Sequence, residues 1–83
     1  MITDKNIGEW LRTKRKAKGF STRYVARQLG FSEGMPSLWE NGKRSISAET
    51  FFEYCDLIGA DPQELIVQYK KETLHGKRKV HTT

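Results

Sequence analysis

Two adjacent basic residues, Lys43 and Arg44, stand out because the chain around them is acidic. They are the only Lys or Arg between residues 31 and 69, a block with seven acidic residues and a net charge of −5. The block 1–30 carries +6 and the block 70–83 carries +4, within a chain of 83 residues and net charge +5. Basic ends suggest a polyanionic partner, and the alternative is a surface charged only for solubility.

The residues before this basic pair predict a first short helix. Ser21 is a suitable N-cap, because its hydroxyl can accept a hydrogen bond from a backbone N–H two or three residues further on. Val25, Ala26 and Leu29 recur at helical spacing. Gly30 ends this helix, since glycine takes the left-handed backbone conformation at no steric cost.

A second short helix is predicted directly after it. Ser32 is a second candidate N-cap, the helix runs from Glu33 to about Glu40, and Asn41-Gly42 ends it as a turn. Two helices joined by about four residues with a glycine in the turn are typical of a helix-turn-helix unit.

This stretch resembles the helix-turn-helix of the phage lambda repressor and Cro family. The similarity extends from Ile7 to about Ile66, roughly three-quarters of the chain. It implies an all-α, compact five-helix, lambda-repressor-like domain that binds DNA. The matching residues are Ser21, Val25, Ala26, Leu29, Gly30, Phe31, Ser32, Ser37, Trp39, Glu40, Asn41 and Gly42.

The resemblance implies where base contacts would lie. They fall on Glu33, Gly34 and Leu38, with Ser37 beside them. Well-studied members often have glutamine here, so this chain departs from the pattern. Glu33 could accept a hydrogen bond from a cytosine amino group, and Leu38 could pack on a thymine methyl group. This is a sparse readout, so DNA shape is expected to contribute to specificity.

Phosphate contacts are implied at two further places. The N-terminus of the first short helix, with Thr22 and Arg23, abuts the DNA backbone in the family, and free N–H groups at a helix N-terminus favour phosphate. The loop after the second helix, with Asn41, Lys43 and Arg44, faces the backbone as well.

Two interior features also follow from the resemblance. Arg15 falls where the family places an arginine paired with the glutamate before the Asn-Gly turn, here Glu40, and we expect a partly buried ion pair. Trp10 falls where a polar, exposed residue is usual. We expect the C-terminal segment to cover Trp10, and the alternative is a partner-binding surface.

Pro36 is a second departure, and it leaves the start of the second short helix open. With Ser32 as N-cap, Pro36 would remove the first hydrogen bond within the helix and crowd the Ser32 carbonyl. Either the first turn from Glu33 is distorted, which we favour, or the helix begins at Pro36 and leaves Glu33 and Gly34 in a loop.

The rest of the chain completes the helices. The first helix is expected to begin after Thr3 or Asp4 and to end before Gly19, with Ile7, Leu11, the Lys14 stem and Ala17 facing inward. The fourth should run from the cap Ser47 to Leu57 or Ile58. Its core-facing residues are expected to be Phe51, Tyr54, Cys55 and Ile58, and Cys55 is expected to be buried. In the fifth, Asp61 is the expected cap, Pro62 takes the first position and Glu64 the capping-box position. Its apolar residues are Leu65, Ile66 and Tyr69. Tyr24 is expected to pack in the core.

The whole chain predicts one domain, residues 1–74, followed by a mobile basic tail, residues 75–83. Lys77, Arg78 and Lys79 of the tail could lie along DNA or remain solvated. Only one cysteine is present and no Cys/His group has zinc-ligand spacing, so a reducing cytoplasm is expected and no metal or cofactor is predicted. No apolar run approaches the length of a membrane span.

No arrangement of residues supports catalysis, so an enzyme is not expected. The sequence favours a sequence-specific regulator of transcription, a repressor that binds a near-palindromic double-stranded DNA operator as a homodimer. The alternative is a protein-interaction module on the same fold, such as the antitoxin of a toxin–antitoxin pair.

Overall fold

The computed structural model describes residues 2–70, which form five α-helices and no strand. They are α1 (Asp4–Lys18), α2 (Thr22–Leu29), α3 (Met35–Glu40), α4 (Ala48–Ile58) and α5, described over residues 62–70. The predicted all-α fold is therefore confirmed. The proposed tail, residues 75–83, lies outside the described residues.

Helix boundaries follow the predicted caps for α1, α2 and α4. The Thr3 hydroxyl accepts from Asn6 N–H at 3.1 Å and the Asn6 side chain accepts from Thr3 N–H at 3.2 Å, which closes a capping box. The Ser21 and Ser47 hydroxyls cap the next two helices. The three helices end at Gly19, Gly30 and Gly59, all in the left-handed conformation.

The start of α5 is only partly as predicted. The Asp61 carboxylate accepts a hydrogen bond from Gln63 N–H at 2.9 Å, so Asp61 caps this helix. The Glu64 carboxylate, expected to complete a capping box, instead lies 2.5 Å from Lys14 Nζ. This ion pair joins α5 to α1.

The core lies where α1, α2, α3 and α4 meet, and α5 closes one side. Leu11, Val25 and Ala26 are fully buried, which agrees with the helical spacing seen in the sequence. Trp10, Trp39, Tyr54, Cys55, Ile58 and Leu65 complete the buried apolar set.

Two predicted core positions, Ala17 and Tyr24, are wrong or only partly right. Ala17 is exposed, because the inward stripe of α1 ends with the side chain of Arg15. Tyr24 is 39% exposed and packs its ring on Phe20, with ring centroids 4.6 Å apart. Ile66 on α5 is also exposed, whereas its neighbour Leu65 points into the core.

Helix α1 lies unusually close to the end of α3. A Cβ atom on Gly8 would stand 2.3 Å from the Trp39 carbonyl oxygen and 2.6 Å from that of Glu40. Gly42 has φ of +71° and a Cβ there would stand 2.9 Å from Lys5 Cα. Both positions require glycine, and together they fix the loop after α3 against α1.

None of the described helices is both long and apolar enough to cross a membrane.

Candidate nucleic-acid interface

The turn between α2 and α3 is built around Gly30. This residue has φ of +79°, and the N–H of Phe31 returns to the Ala26 carbonyl oxygen at 2.9 Å. The chain then passes through residues 31–34, where the Met35 N–H donates to the Ser32 carbonyl oxygen at 3.1 Å. The turn is thus closed by backbone hydrogen bonds at both ends.

Helix α3 is shorter than predicted. It begins at Met35, and its N-cap is Gly34, which forms no side-chain cap hydrogen bond. The prediction that Ser32 caps a helix starting at Glu33 is therefore wrong. The alternative start at Pro36 is correct to within one residue.

The physical reason for this late start is the proline. Pro36 is the second residue of α3, where the backbone N–H has no helical acceptor and proline costs nothing. Starting the helix at Glu33 would have placed Pro36 where its missing N–H removes a hydrogen bond. The Pro36 ring is fully buried, so it fills core space as well.

The short α3 is mostly an interior helix. Pro36, Trp39 and Glu40 are buried, whereas Met35 and Leu38 are half-buried. Ser37 is the exposed residue of α3. A surface that reads DNA at this point must therefore be made largely by the turn before the helix.

The four predicted base-contact residues separate into two groups. Glu33, Gly34 and Ser37 are exposed and lie within five positions along the turn and the first turn of α3. Leu38 is half-buried, and its carbonyl oxygen accepts from the N–H groups of Lys43 and Arg44 at 2.9 and 3.3 Å. The structure thus brings three of the predicted side chains to the surface and partly withdraws the fourth.

The loop after α3 presents the predicted phosphate-contact residues. Asn41, Lys43 and Arg44 are all exposed. The loop is held by the two hydrogen bonds to Leu38 and by the Ser45 hydroxyl, which donates to the Asp4 carboxylate at 2.6 Å. Two adjacent cationic side chains therefore project from an anchored backbone.

At the N-terminus of α2, Thr22 is half-buried and Arg23 is exposed. The Nε atom of Arg23 lies 3.4 Å from the Oε1 atom of Glu33. A predicted phosphate contact and a predicted base contact are thus ion-paired with each other across the turn. Nothing in the sequence indicates this pair, because its two residues lie ten positions apart and meet only through the geometry of the turn.

The predicted pair of Arg15 and Glu40 is present and buried, with 8% and 4% of each residue exposed. Arg15 Nε and Nη2 donate to the two carboxylate oxygens at 2.7 and 2.9 Å, and Nη1 donates to the Phe20 carbonyl at 2.8 Å. The hydrogen bond to Glu40 raises the pKa of Arg15 above its usual value.

Tyr54 completes this buried cluster. The helical spacing of α4 indicated that Tyr54 faces the core, but it did not indicate a polar role. Its hydroxyl donates to the Glu40 carboxylate. The pKa of Tyr54 is raised well above its usual value. Burial is the larger cause, and the hydrogen bond to Glu40 is the second. The cluster ties α1, α3 and α4 together beneath the helix-turn-helix.

Trp10 is covered from within the chain, as predicted. It is 8% exposed, its ring lies 6.1 Å from that of Phe51, and it borders a groove of about 420 Å³ between α1 and α5. Leu65 and Tyr69 of α5 line the same groove.

Cys55 is buried, as expected for a small apolar residue. Burial, with a smaller contribution from Asp61, raises the pKa of its thiol to about 11. A thiol in this state is a poor nucleophile at neutral pH. Among residues 2–70, no three His, Cys, Asp or Glu side chains cluster as metal ligands.

Comparison with known proteins agrees with this geometry. A family model described as a helix-turn-helix domain matches residues 6–66. Among solved structures, a similar one is that of the clp gene regulator ClgR from Corynebacterium glutamicum, with a TM-score of 0.67 and 25% sequence identity. The alignment covers 96% of this chain and 95% of that chain. No curated protein matches the sequence significantly.

Proposed function

From membership of the helix-turn-helix domain family, to which this chain belongs, we propose that it is a sequence-specific regulator of transcription that binds double-stranded DNA. The observation that carries the proposal is the exposed turn of residues 31–34, with exposed Arg23 before it in the chain and exposed Lys43 and Arg44 after α3. The full-length similarity to a gene regulator supports the same function.

We assign the surface around the turn to the DNA bases. Glu33, Gly34 and Ser37 face the base edges, and Leu38 contributes only the apolar edge that its half-buried side chain leaves accessible. Since α3 has a single exposed residue, direct readout is short, and DNA shape and deformability supply part of the specificity.

The phosphate contacts flank this surface. Thr22 and Arg23 at the start of α2 bind one stretch of backbone, and Asn41, Lys43 and Arg44 after α3 bind another. The two cationic side chains at residues 43 and 44, which project from a hydrogen-bonded backbone, should dominate the salt dependence, because each neutralised phosphate releases counterions.

The finer proposal is a repressor of the lambda repressor and Cro class that acts in the cytoplasm. It binds as a homodimer to a near-palindromic operator whose half-sites lie about one helical turn, roughly 10 bp, apart. Residues 1–74 form the DNA-binding domain and residues 75–83 a basic tail. Exposed Ile66 and Val67 on α5 support a dimer contact on this helix.

A second candidate function is a protein-interaction module such as an antitoxin. Buried Trp10 no longer supports it. Phe52 does, since this aromatic side chain on α4 is 56% exposed. Both functions are compatible on one chain, because Phe52 lies on α4 and outside the turn. Co-purification of a stable protein partner that is lost in Phe52→Ser would favour the second candidate.

The proposal is tested by DNA binding as a function of salt. Lys43→Ala/Arg44→Ala should weaken binding to every duplex and lower the magnitude of the log-affinity against log-salt slope by about 1.8. Lys16→Ala/Lys18→Ala is the matched control, because it removes the same charge from exposed positions on α1. Equal slopes for the two double variants would contradict the assignment of residues 43 and 44.

A further inference from the structure

Two residues assigned to DNA are ion-paired with each other in the free protein. Arg23 Nε and Glu33 Oε1 are 3.4 Å apart, and both side chains are more than half exposed, at 65% and 59%. Within residues 2–70, the two other ion pairs, Arg15–Glu40 and Lys14–Glu64, involve no residue assigned to DNA. Of these three ion pairs, Arg23–Glu33 is therefore the one that joins two residues of the candidate interface.

This pairing lowers the positive potential at the start of α2. An approaching phosphate must compete with the Glu33 carboxylate for the Arg23 guanidinium. Once Arg23 turns to the phosphate, the carboxylate is left unpaired beside a polyanion. That state is unfavourable unless a donor on the DNA takes the place of the guanidinium.

Only certain bases can supply this donor in the major groove. Cytosine offers its N4 amino group, whereas guanine offers two acceptors and thymine offers an acceptor and a methyl group. A carboxylate is therefore satisfied at cytosine and repelled at guanine. Adenine is intermediate, since its amino group stands beside the N7 acceptor.

Resting on the proposed function, we propose that the Arg23–Glu33 pair couples phosphate binding to base identity. On a cytosine-bearing operator, Glu33 moves to the base amino group and Arg23 is released to the phosphate, so both side chains contribute. On other DNA, Glu33 either retains Arg23 or remains unpaired. Glu33 thus strengthens binding to the cytosine-bearing operator and weakens binding to other sequences.

The test is a double-mutant cycle measured on two duplexes. The variants are Arg23→Ala, Glu33→Ala and the double variant, and the duplexes are the one enriched from a random library by the wild-type protein and a scrambled version of it. Lys14→Ala, Glu64→Ala and their double variant form the matched control, because this ion pair lies between α1 and α5.

The proposal predicts effects of opposite sign on the two duplexes. Glu33→Ala should tighten binding to the scrambled duplex about three-fold, because a repulsive charge is removed. It should weaken binding to the enriched duplex about ten-fold if cytosine is lost as a partner. Arg23→Ala should weaken binding to the enriched duplex and lower its salt slope by about 0.9.

Glu33→Gln gives a further readout of base identity. Glutamine forms two hydrogen bonds with adenine, so this variant should move the preferred base from cytosine to adenine at one position in each half-site. Glu33→Gln removes the charge of residue 33. If the preferred base nevertheless stayed the same, the proposal would be contradicted.

Failure of the inference differs from failure of the proposed function. If wild-type protein enriches a sequence but Glu33→Ala changes both duplexes equally, or no more than Glu64→Ala, the coupling is refuted and the regulator remains. If wild-type protein enriches nothing and binds both duplexes alike, the proposed function is refuted together with the inference.

Discussion

Within residues 2–70, two arginine–glutamate pairs lie on the helix-turn-helix side, and they differ in burial, distance and hydrogen bonding. Arg15 and Glu40 are buried, bonded through two nitrogen–oxygen contacts of 2.7 and 2.9 Å, and joined by the Tyr54 hydroxyl. Arg23 and Glu33 are exposed and 3.4 Å apart. The same two residue types therefore hold the fold in one place and remain available to a ligand in the other.

Burial is the cause of the difference. A buried charge that loses its partner keeps its desolvation penalty, so both partners must stay together. An exposed pair exchanges with water at little cost, and each partner can turn to a new ligand. Variants at three places should distinguish the buried pair from the exposed pair. They are given in decreasing order of expected effect on stability.

The largest effect is expected at the buried pair. Glu40→Ala leaves the Arg15 guanidinium without its carboxylate and the Tyr54 hydroxyl without its acceptor. The free energy of unfolding should fall by about 3–5 kcal/mol, measured by urea denaturation with circular dichroism. Arg15→Met/Glu40→Leu is the control, because it removes both charges. A double variant less stable than Glu40→Ala would contradict this view of the pair.

A smaller effect is expected at Tyr54. Tyr54→Phe removes one hydrogen bond to a charged group, which should lower the free energy of unfolding by about 1.5–3 kcal/mol at pH 7. Glu40 keeps both contacts to Arg15 in this variant, so the fold should persist.

The same variant also tests the raised pKa of Tyr54. Because folding raises this pKa, the unfolded chain loses the phenolic proton first, and wild-type stability should fall as pH rises above about 10. Tyr54→Phe should lose this part of the alkaline decline. The part due to Cys55, between pH 9 and about 11, should remain. Identical alkaline profiles for the two proteins would contradict the assignment.

The smallest effect on stability is expected at the exposed pair. Arg23→Ala and Glu33→Ala should each change the free energy of unfolding by less than about 1 kcal/mol, and 0.5 M NaCl should abolish the difference. Thermal unfolding at low and high salt measures this. A loss comparable to that of Glu40→Ala would mean that the exposed pair is structural, and the contrast between the two pairs would disappear.

The sequence predicted well whatever depends on local caps and on spacing. Ser21, Gly30, Ser47 and Asp61 act through backbone groups a few residues away, so their roles could be inferred without tertiary structure. The inward positions Leu11, Val25 and Cys55 followed from helical spacing. The Arg15–Glu40 pair followed from the family resemblance, and spacing alone would not have given it.

What the sequence did not predict depends on the approach of distant segments. Nothing in the sequence around Gly8 indicates that the Trp39 and Glu40 carbonyl groups lie against it. Tyr54, expected only to be apolar, has a polar role because α4 brings its hydroxyl to Glu40. Tyr24 is 39% exposed because it lies off the face of α2 that buries Val25 and Ala26.

Of the candidate interface, the sequence named residues but left their arrangement open. Pro36 signalled an irregular start to α3, yet two starts were compatible with it, and the favoured one was wrong. Only the structure shows that the turn, more than the helix, is exposed, and that Glu33 faces Arg23. The roles of these residues toward DNA stay predictions.

Sequence-specific binding through Glu33 can be tested by selection of bound duplexes from a randomised DNA library at near-physiological salt, with wild-type protein and Glu33→Ala in parallel. Wild-type protein should enrich a near-palindrome with cytosine at a fixed position in each half-site, and Glu33→Ala should lose that cytosine. Enrichment of no sequence by the wild-type protein would contradict the account of this chain as a sequence-specific regulator.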